Sequence, residues 1–85
     1  MKFTQRINKS QQEVIKMVGK NLKALREERG VTQQQLADAI DVRVPYISAI
    51  ERGVRRASVE QVAVFAELLG CTTDDIILGK DRVSA

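Results

Sequence analysis

The sequence predicts an all-α fold of five helices, because helix start signals, helix stop signals and helical spacing of apolar residues recur in that order along the chain. A capping box pairs a Ser or Thr at a helix start with a polar residue three positions later, and each side chain binds the other residue's backbone N–H. Four pairs fit this pattern: Ser10 with Glu13, Thr32 with Gln35, Ser58 with Gln61, and Thr72 with Asp75. Four glycines follow apolar-periodic stretches, where a left-handed backbone ends a helix: Gly30, Gly53, Gly70 and Gly79. The predicted helices are residues 11–29, 32–40, 44–52, 58–69 and 73–78.

The expected core follows from apolar residues spaced three or four positions apart on each helix. Its members are Val14, Val18, Leu22 and Leu25 on the first helix, Leu36, Ala37 and Ile40 on the second, Ile47 and Ile50 on the third, Val59, Val62, Phe65, Ala66 and Leu69 on the fourth, and Ile76 and Ile77 on the fifth. Burial of one large side chain of this kind contributes roughly 1.5–3 kcal/mol. This set is therefore large enough to hold a compact helical domain together without a metal or a disulfide.

Length and composition point to one small domain without catalytic machinery. The chain has 85 residues, no His, and a single cysteine, Cys71, which argues against a disulfide framework and a His/Cys metal site. No apolar run approaches the roughly 20 residues that cross a bilayer. We expect a cytoplasmic protein that is not an enzyme and holds no cofactor or metal. Residues 1–9 are expected to form a flexible basic N-terminal tail, residues 10–79 the domain, and residues 80–85 a C-terminal tail.

Charge is unevenly distributed along the chain. Residues 1–30 contain eight Lys or Arg against three Glu, whereas residues 58–85 contain two Lys or Arg against five acidic residues. Such asymmetry can turn one face of a domain toward phosphates. A normally solvated surface has the same composition, so charge alone leaves the partner open.

The second and third helices are separated only by the break at Asp41-Val42-Arg43. Pro45 suits the first turn of the third helix, where its missing N–H is not needed, and Gly53 ends that helix. Two short helices joined by a tight turn form a helix-turn-helix, whose second helix can enter the major groove of DNA.

These residues resemble the phage-repressor-like (Xre/Cro/C1-type) helix-turn-helix DNA-binding family from Gly19 to about Leu78. The matching segments are Leu22–Arg26, Gly30–Gln33, Leu36-Ala37, Ile47-Ser48, Ile50–Gly53, Ser58, Leu69-Gly70 and Thr72–Ile76. The resemblance implies a five-helix, lambda-repressor-like domain that docks on double-stranded DNA as a two-fold dimer.

The resemblance also implies roles for individual residues. Thr32 and Gln33, at the start of the second helix, are expected to contact DNA, with Gln33 on a phosphate. Arg26 and Glu51 match a structural salt bridge between the first helix and the end of the recognition helix. A plain solvent-exposed glutamine is the alternative for Gln33.

The base-facing surface departs from the pattern of many relatives, which carry polar side chains there. This chain has Val44, Pro45, Tyr46 and Ala49, of which Tyr46 alone can make a side-chain hydrogen bond. Tyr46 resembles the tyrosine in the YIS segment of restriction–modification controller proteins. Arg43 is the best candidate for a guanine or phosphate contact. Sequence recognition is therefore expected to depend more on DNA shape and backbone contacts, unless Val44 and Pro45 only shape the helix start.

Two further surfaces are predicted. Arg52, Arg55 and Arg56 lie in the loop after the recognition helix and are expected to hold the phosphate backbone, with ordinary solvated charge as the alternative.

Val64, Leu68 and Cys71 form an apolar stripe off the core face and are predicted to be the homodimer interface, with a wide core face as the alternative.

The leading hypothesis for function is a sequence-specific DNA-binding transcriptional regulator, a dimeric repressor or autoregulator of a palindromic operator. One alternative is an antitoxin or restriction–modification controller subunit that also binds a protein partner, such as a toxin or anti-repressor. The other is a protein-interaction module that has lost DNA binding, and salt-sensitive binding to duplex DNA would separate it from the first two.

Overall fold

The computed structural model describes residues 9–79 and contains five helices and no strand in that range. The helices are α1 (Lys9–Glu28), α2 (Gln33–Ala39), α3 (Val44–Glu51), α4 (Val59–Leu69) and α5 (Thr73–Leu78). α1 packs against α3 and α5, α2 packs against α3 and α4, and α4 packs against α5. The all-α, five-helix prediction is confirmed. The tails were predicted for residues 1–9 and 80–85. Lys9 belongs to α1 instead of the tail, and residues 1–8 and 80–85 lie outside the described residues, so the tail predictions for them stay predictions.

Three of the four predicted capping boxes are present, at Thr32, Ser58 and Thr72, each with both reciprocal hydrogen bonds. All four predicted helix-ending glycines have positive φ. The prediction at Ser10 is wrong, because α1 already includes Lys9 and Ser10 is therefore inside the helix. Serine is compatible with a first helical turn as well as with the cap position, so the pattern alone did not fix where α1 begins.

The core contains most of the residues that the helical spacing predicted. Its buried members are Leu22, Leu25, Leu36, Ala37, Ile47, Ile50, Val62, Phe65, Ala66, Leu69 and Ile76, with Val18, Ile40 and Ile77 half-buried against them. Two predictions are wrong: Val14 is 48% exposed and Val59 is 81% exposed. Periodicity identifies the face of a helix but not how far the neighbouring helices extend along it.

Gly19 sets the distance between α1 and the end of α3. It is buried, and a Cβ atom at this position would overlap the Ile50 carbonyl oxygen and lie 2.9 Å from that of Glu51. Only glycine allows the two backbones to approach this closely. The recognition helix is thus fixed against α1 by its C-terminal backbone as well as by its side chains.

The turn between α2 and α3 is formed by a non-glycine residue in the left-handed region. Asp41 has φ 59°, and no other non-glycine residue within residues 9–79 has a positive φ. The next N–H group, that of Val42, donates to the Ala37 carbonyl at 2.9 Å, which closes the end of α2. Asp is one of the few side chains that tolerate this conformation.

Candidate nucleic-acid interface

α3 is anchored by one side and exposed on the other. Ile47 and Ile50 are buried in the core. Arg43 and Pro45, at the start of the helix, are exposed, and Pro45 occupies the first turn as the sequence predicted. The helix therefore presents its N-terminal end to solvent, which is the end that contacts base edges when a helix of this type enters a major groove.

The predicted pair of Arg26 and Glu51 is brought together in a buried, fork-like arrangement. Arg26 Nε donates to Glu51 Oε2 at 2.7 Å and Nη2 donates to Oε1 at 3.2 Å. Arg26 Nη1 also donates to the Val31 carbonyl oxygen at 3.0 Å. The side chains are only 12% and 3% exposed, so the charges are largely removed from water and depend on each other.

Gln33 joins this arrangement from α2. Its amide nitrogen donates to Glu51 Oε1 at 2.9 Å, and the side chain is half-buried. The donor group of the Gln33 side chain is thus directed at Glu51, which leaves the helix-start N–H groups of α2 as the donors suited to an anion. Thr32 is exposed beside it and accepts from the Gln35 N–H in the capping box.

The surface expected to face the bases is mixed in exposure. Val44 packs half-buried against the core, Ala49 is also half-buried, and Pro45 is exposed. Arg43 is the N-cap residue of α3 but makes no side-chain capping bond, so its guanidinium is not used to close the helix. The arginine just ahead of α3 thus lies exposed at the N-terminal end of the helix.

The loop after α3 carries the basic face that the sequence predicted. Arg52, Arg55 and Arg56 are all exposed, and Arg52 Nε donates to Ser48 Oγ at 3.3 Å. The one acidic residue between positions 43 and 57 is Glu51, which is buried and paired with Arg26. Exposed charge from the start of α3 to the start of α4 is therefore entirely positive.

Tyr46 connects α3, the basic loop and α4. Gln61 Nε2, on α4, donates to the Tyr46 hydroxyl at 3.0 Å, and the Arg55 guanidinium lies over the ring with Cζ 4.3 Å from its centroid. Hydrogen bonding from Arg55, and then from Gln61, lowers the pKa of Tyr46 below its ordinary value of 10.0. In the sequence, Gln61 fits only the capping-box pattern with Ser58. Nothing in the spacing of the sequence signalled its contact with Tyr46.

The three residues predicted to form a dimer interface lie along α4 and just after it. Leu68 is 40% exposed, whereas Val64 and Cys71 are half-buried and Cys71 packs against the core. The structure places an apolar strip on this side, with its most exposed point at Leu68.

Neither a metal cluster nor a membrane-spanning helix is present in the described part of the chain. Within residues 9–79, no cluster of His, Cys, Asp and Glu could hold a metal ion. None of the helices described is long and apolar enough to cross a membrane.

Known proteins with similar sequences are regulators of the same type. The chain is 38% identical over 58 residues to the HTH-type transcriptional regulator DdrOP3 of Deinococcus deserti, a match that covers 68% of this chain and 45% of the relative. It is 32% identical over 67 residues to the uncharacterized HTH-type transcriptional regulator y4dJ of Sinorhizobium fredii, covering 79% of this chain and 87% of the relative. The chain spans about half the length of two curated relatives, 45% of DdrOP3 and 58% of the uncharacterized HTH-type transcriptional regulator RC0668 of Rickettsia conorii.

Solved structures show the same architecture. The clp gene regulator ClgR of Corynebacterium glutamicum matches with a TM-score of 0.74 at 30% identity, over 81% of this chain and 73% of that chain. The restriction-modification controller protein C.AhdI of Aeromonas hydrophila matches with a TM-score of 0.66 at 26% identity, over 75% of this chain and 96% of that chain. These proteins are regulators rather than enzymes. The helix-turn-helix family model HTH_3 matches residues 22–76, and the chain therefore belongs to the helix-turn-helix family of transcriptional regulators.

Proposed function

We propose that this protein is a sequence-specific repressor or autoregulator that binds a palindromic DNA operator as a homodimer. The observation that carries the proposal is the exposed arginine set around α3, at positions 43, 52, 55 and 56, with the single intervening acid buried. A surface of this sign and shape suits a polyanion, and the exposed end of a helix at its centre suits a groove.

The arginines of the loop would supply affinity, and the residues at the start of α3 would recognise the bases. Contacts from Arg52, Arg55 and Arg56 to phosphates would supply affinity and fix the position of the domain without identifying the bases. Arg43 is exposed at the start of α3 and makes no side-chain capping bond, so it would be available for a bidentate guanine contact, and the small apolar side chains beside it can touch thymine methyl groups. Thr32 and Gln33 would add an anion contact through the start of α2.

The dimer would use the apolar strip of Val64, Leu68 and Cys71. Two recognition helices related by a two-fold axis would then enter successive major grooves about 34 Å apart. Leu68→Glu places a charge at the most exposed point of the strip. We expect this variant to sediment as a monomer and to lose binding to a two-half-site duplex. Glu67→Gln, at the neighbouring exposed position, is the control.

Selection of bound duplexes from a random DNA pool, followed by binding of the enriched sequence across a salt series, tests the proposal. An enriched inverted repeat with half-sites one helical turn apart is the expected result. Salt-dependent binding without an enriched sequence would contradict sequence specificity. Absence of binding at low salt would overturn the proposal as a whole.

A second candidate function, binding of a protein partner, is favoured by one specific observation. Val14 and Val59, the two valines wrongly predicted to be buried, line an open groove together with Ile15, Val18 and Val62, and Arg55 and Arg56 also contribute to its lining. Apolar walls that include arginines fit an acidic amphipathic helix of a partner, because such a helix offers apolar anchors between carboxylates. Pairing of this groove with the same groove of a second copy is less favourable, because it would place the arginines of the two copies against each other.

The partner hypothesis can be tested with peptides from a random library displayed as helices. We expect enriched peptides to carry apolar residues at helical spacing and carboxylates beside them, and to bind the native protein but not Val59→Asp. Because Val59 is 81% exposed, this variant is expected to fold normally. Peptides that bind both proteins equally, or no enrichment, would overturn the assignment of the groove.

A further inference from the structure

The orientation of the Gln61 amide is determined by the helix that it caps. Its Oε1 accepts from the Ser58 backbone N–H at 3.0 Å, which is a position that only an oxygen can fill. The Nε2 group must therefore be the atom that points at the Tyr46 hydroxyl, 3.0 Å away. One residue thus closes the start of α4 and, with its other end, donates a hydrogen bond to the recognition helix.

This arrangement determines which hydrogen-bonding role is left to Tyr46. A tyrosine hydroxyl can accept through its oxygen and donate through its proton. Gln61 donates to the oxygen, and the cationic Arg55 group, with its five N–H donors and no acceptor, lies directly over the ring. Neither neighbour can accept the hydroxyl proton, so the proton is the group that Tyr46 offers to a ligand.

We propose that Gln61 is a positioning residue for DNA recognition, which holds Tyr46 as a hydrogen-bond donor to an acceptor on the duplex. The inference rests on the proposed function and deepens it. Acceptors in the major groove are purine N7, guanine O6 and thymine O4, and the phosphate oxygens beside the groove have the same chemistry. A Tyr46 hydroxyl held as a donor would not bind the base-edge donors, which are the amino groups of adenine and cytosine.

Gln61→Glu separates the two roles of the residue. The carboxylate keeps an oxygen for the Ser58 N–H, so the cap and the stability of α4 are retained. It also replaces the donor by an acceptor. The Tyr46 O–H would then donate its hydrogen bond to this carboxylate, and the hydroxyl could only accept one from a ligand. Gln61→Ala removes the donor without adding charge. Ala63→Glu, at an exposed position of the same helix, is the charge-matched control.

The first readout needs no DNA. Tyr46 is the single tyrosine in a chain without tryptophan, so the ultraviolet absorbance of phenolate reports its ionisation directly. We expect the pKa of Tyr46 to rise in Gln61→Glu, to rise less in Gln61→Ala, and to stay at the native value in Ala63→Glu. A purely structural role for Gln61 would change thermal unfolding but not this titration. An unchanged titration in Gln61→Glu would overturn the inference.

The second readout is the affinity for the DNA selected by the native protein. Loss of one hydrogen bond predicts a decrease of about twofold to tenfold in Tyr46→Phe, and at least as large a decrease in Gln61→Glu after correction by Ala63→Glu. A changed preference at one base pair identifies a base acceptor, and an equal loss on all sequences identifies a phosphate. Native affinity in Gln61→Glu overturns the inference. Failure of the native protein to bind DNA instead overturns the proposed function.

Discussion

The carboxylate of Glu51 connects three helices through side-chain hydrogen bonds. It belongs to the last turn of α3 and accepts from Arg26 on α1 and from Gln33 on α2. Arg26 donates to both carboxylate oxygens, and Gln33 donates to Oε1 as well. Within residues 9–79 no buried side-chain nitrogen or oxygen lacks a hydrogen-bond partner. A buried residue in this position fixes the orientation of α3 through contacts within the protein.

Replacement of Glu51 by Ala is expected to lower the free energy of unfolding by about 3–5 kcal/mol, because Arg26 would remain buried without its counter-charge. Urea unfolding followed by circular dichroism measures this loss. Glu27→Ala is the matched control, since Glu27 is 3.8 Å from the same guanidinium but 58% exposed, and should cost no more than about 1 kcal/mol. Equal losses in the two variants would contradict the dependence on burial.

The lowered pKa of Tyr46 predicts how DNA binding changes with pH. Below its pKa the hydroxyl carries the proton that it donates, and above it the phenolate can only accept and also repels phosphate. Affinity is therefore expected to fall as the pH rises through a value below 10.0, the ordinary pKa of the group. Binding of Tyr46→Phe over the same range should lack this transition. A transition of equal size in both proteins would assign it to another group.

At the scale of the secondary-structure elements, the short turn between α2 and α3 decides the angle of the recognition helix. It spans residues 40–43, and the left-handed Asp41 is followed by the Val42 N–H bond that closes α2. Because the turn is short, a change in its backbone would move the whole of α3 relative to α2.

The turn yields a clear contrast between two substitutions. Asp41→Val places a β-branched side chain at φ 59° and is expected to cost about 1–2 kcal/mol of stability. Asp41→Gly removes the steric cost and should leave stability close to native. Thermal unfolding of both variants measures the difference. A valine variant as stable as the glycine variant would mean that the turn relaxes to another conformation.

Elements with local signals could be predicted from the sequence, whereas contacts between elements could not. The capping boxes at Thr32 and Ser58 and the break at Asp41 depend on neighbours along the chain, and they fixed the helices to within two residues. The exposure of Val14 and Val59 depends on where other helices end. The contact between Gln61 and Tyr46 joins residues 15 positions apart, and no periodicity encodes it.

At the scale of the whole molecule, the loop after α3 and the last two helices expose charges of opposite sign. The loop after α3 presents Arg52, Arg55 and Arg56, whereas α4 and α5 expose Glu60, Glu67 and Asp74. This separation orients the domain in the field of a polyanion before any specific contact forms.

The salt dependence of DNA binding measures how many of these arginines contact phosphates. Each lost phosphate contact should reduce the slope of log affinity against log salt concentration by about 0.9. Arg56→Ala is expected to do so once per bound protomer, while Arg56→Lys keeps the charge and the slope. An Arg56→Ala slope equal to the native one would place that side chain away from the backbone.

The division of α3 into anchoring and outward residues has a consequence for how this regulator could acquire new target sequences. Ile47, Ile50 and Glu51 are buried, while Arg43, Pro45 and Arg52 are exposed. Under the proposed function, substitutions in the exposed set can change the preferred operator while the fold stays intact, so target preference can diverge between related copies in a genome. Tyr46 is the exception, since it touches both α4 and the basic loop, and an operator change that requires a new residue there would require a compensating change at Gln61.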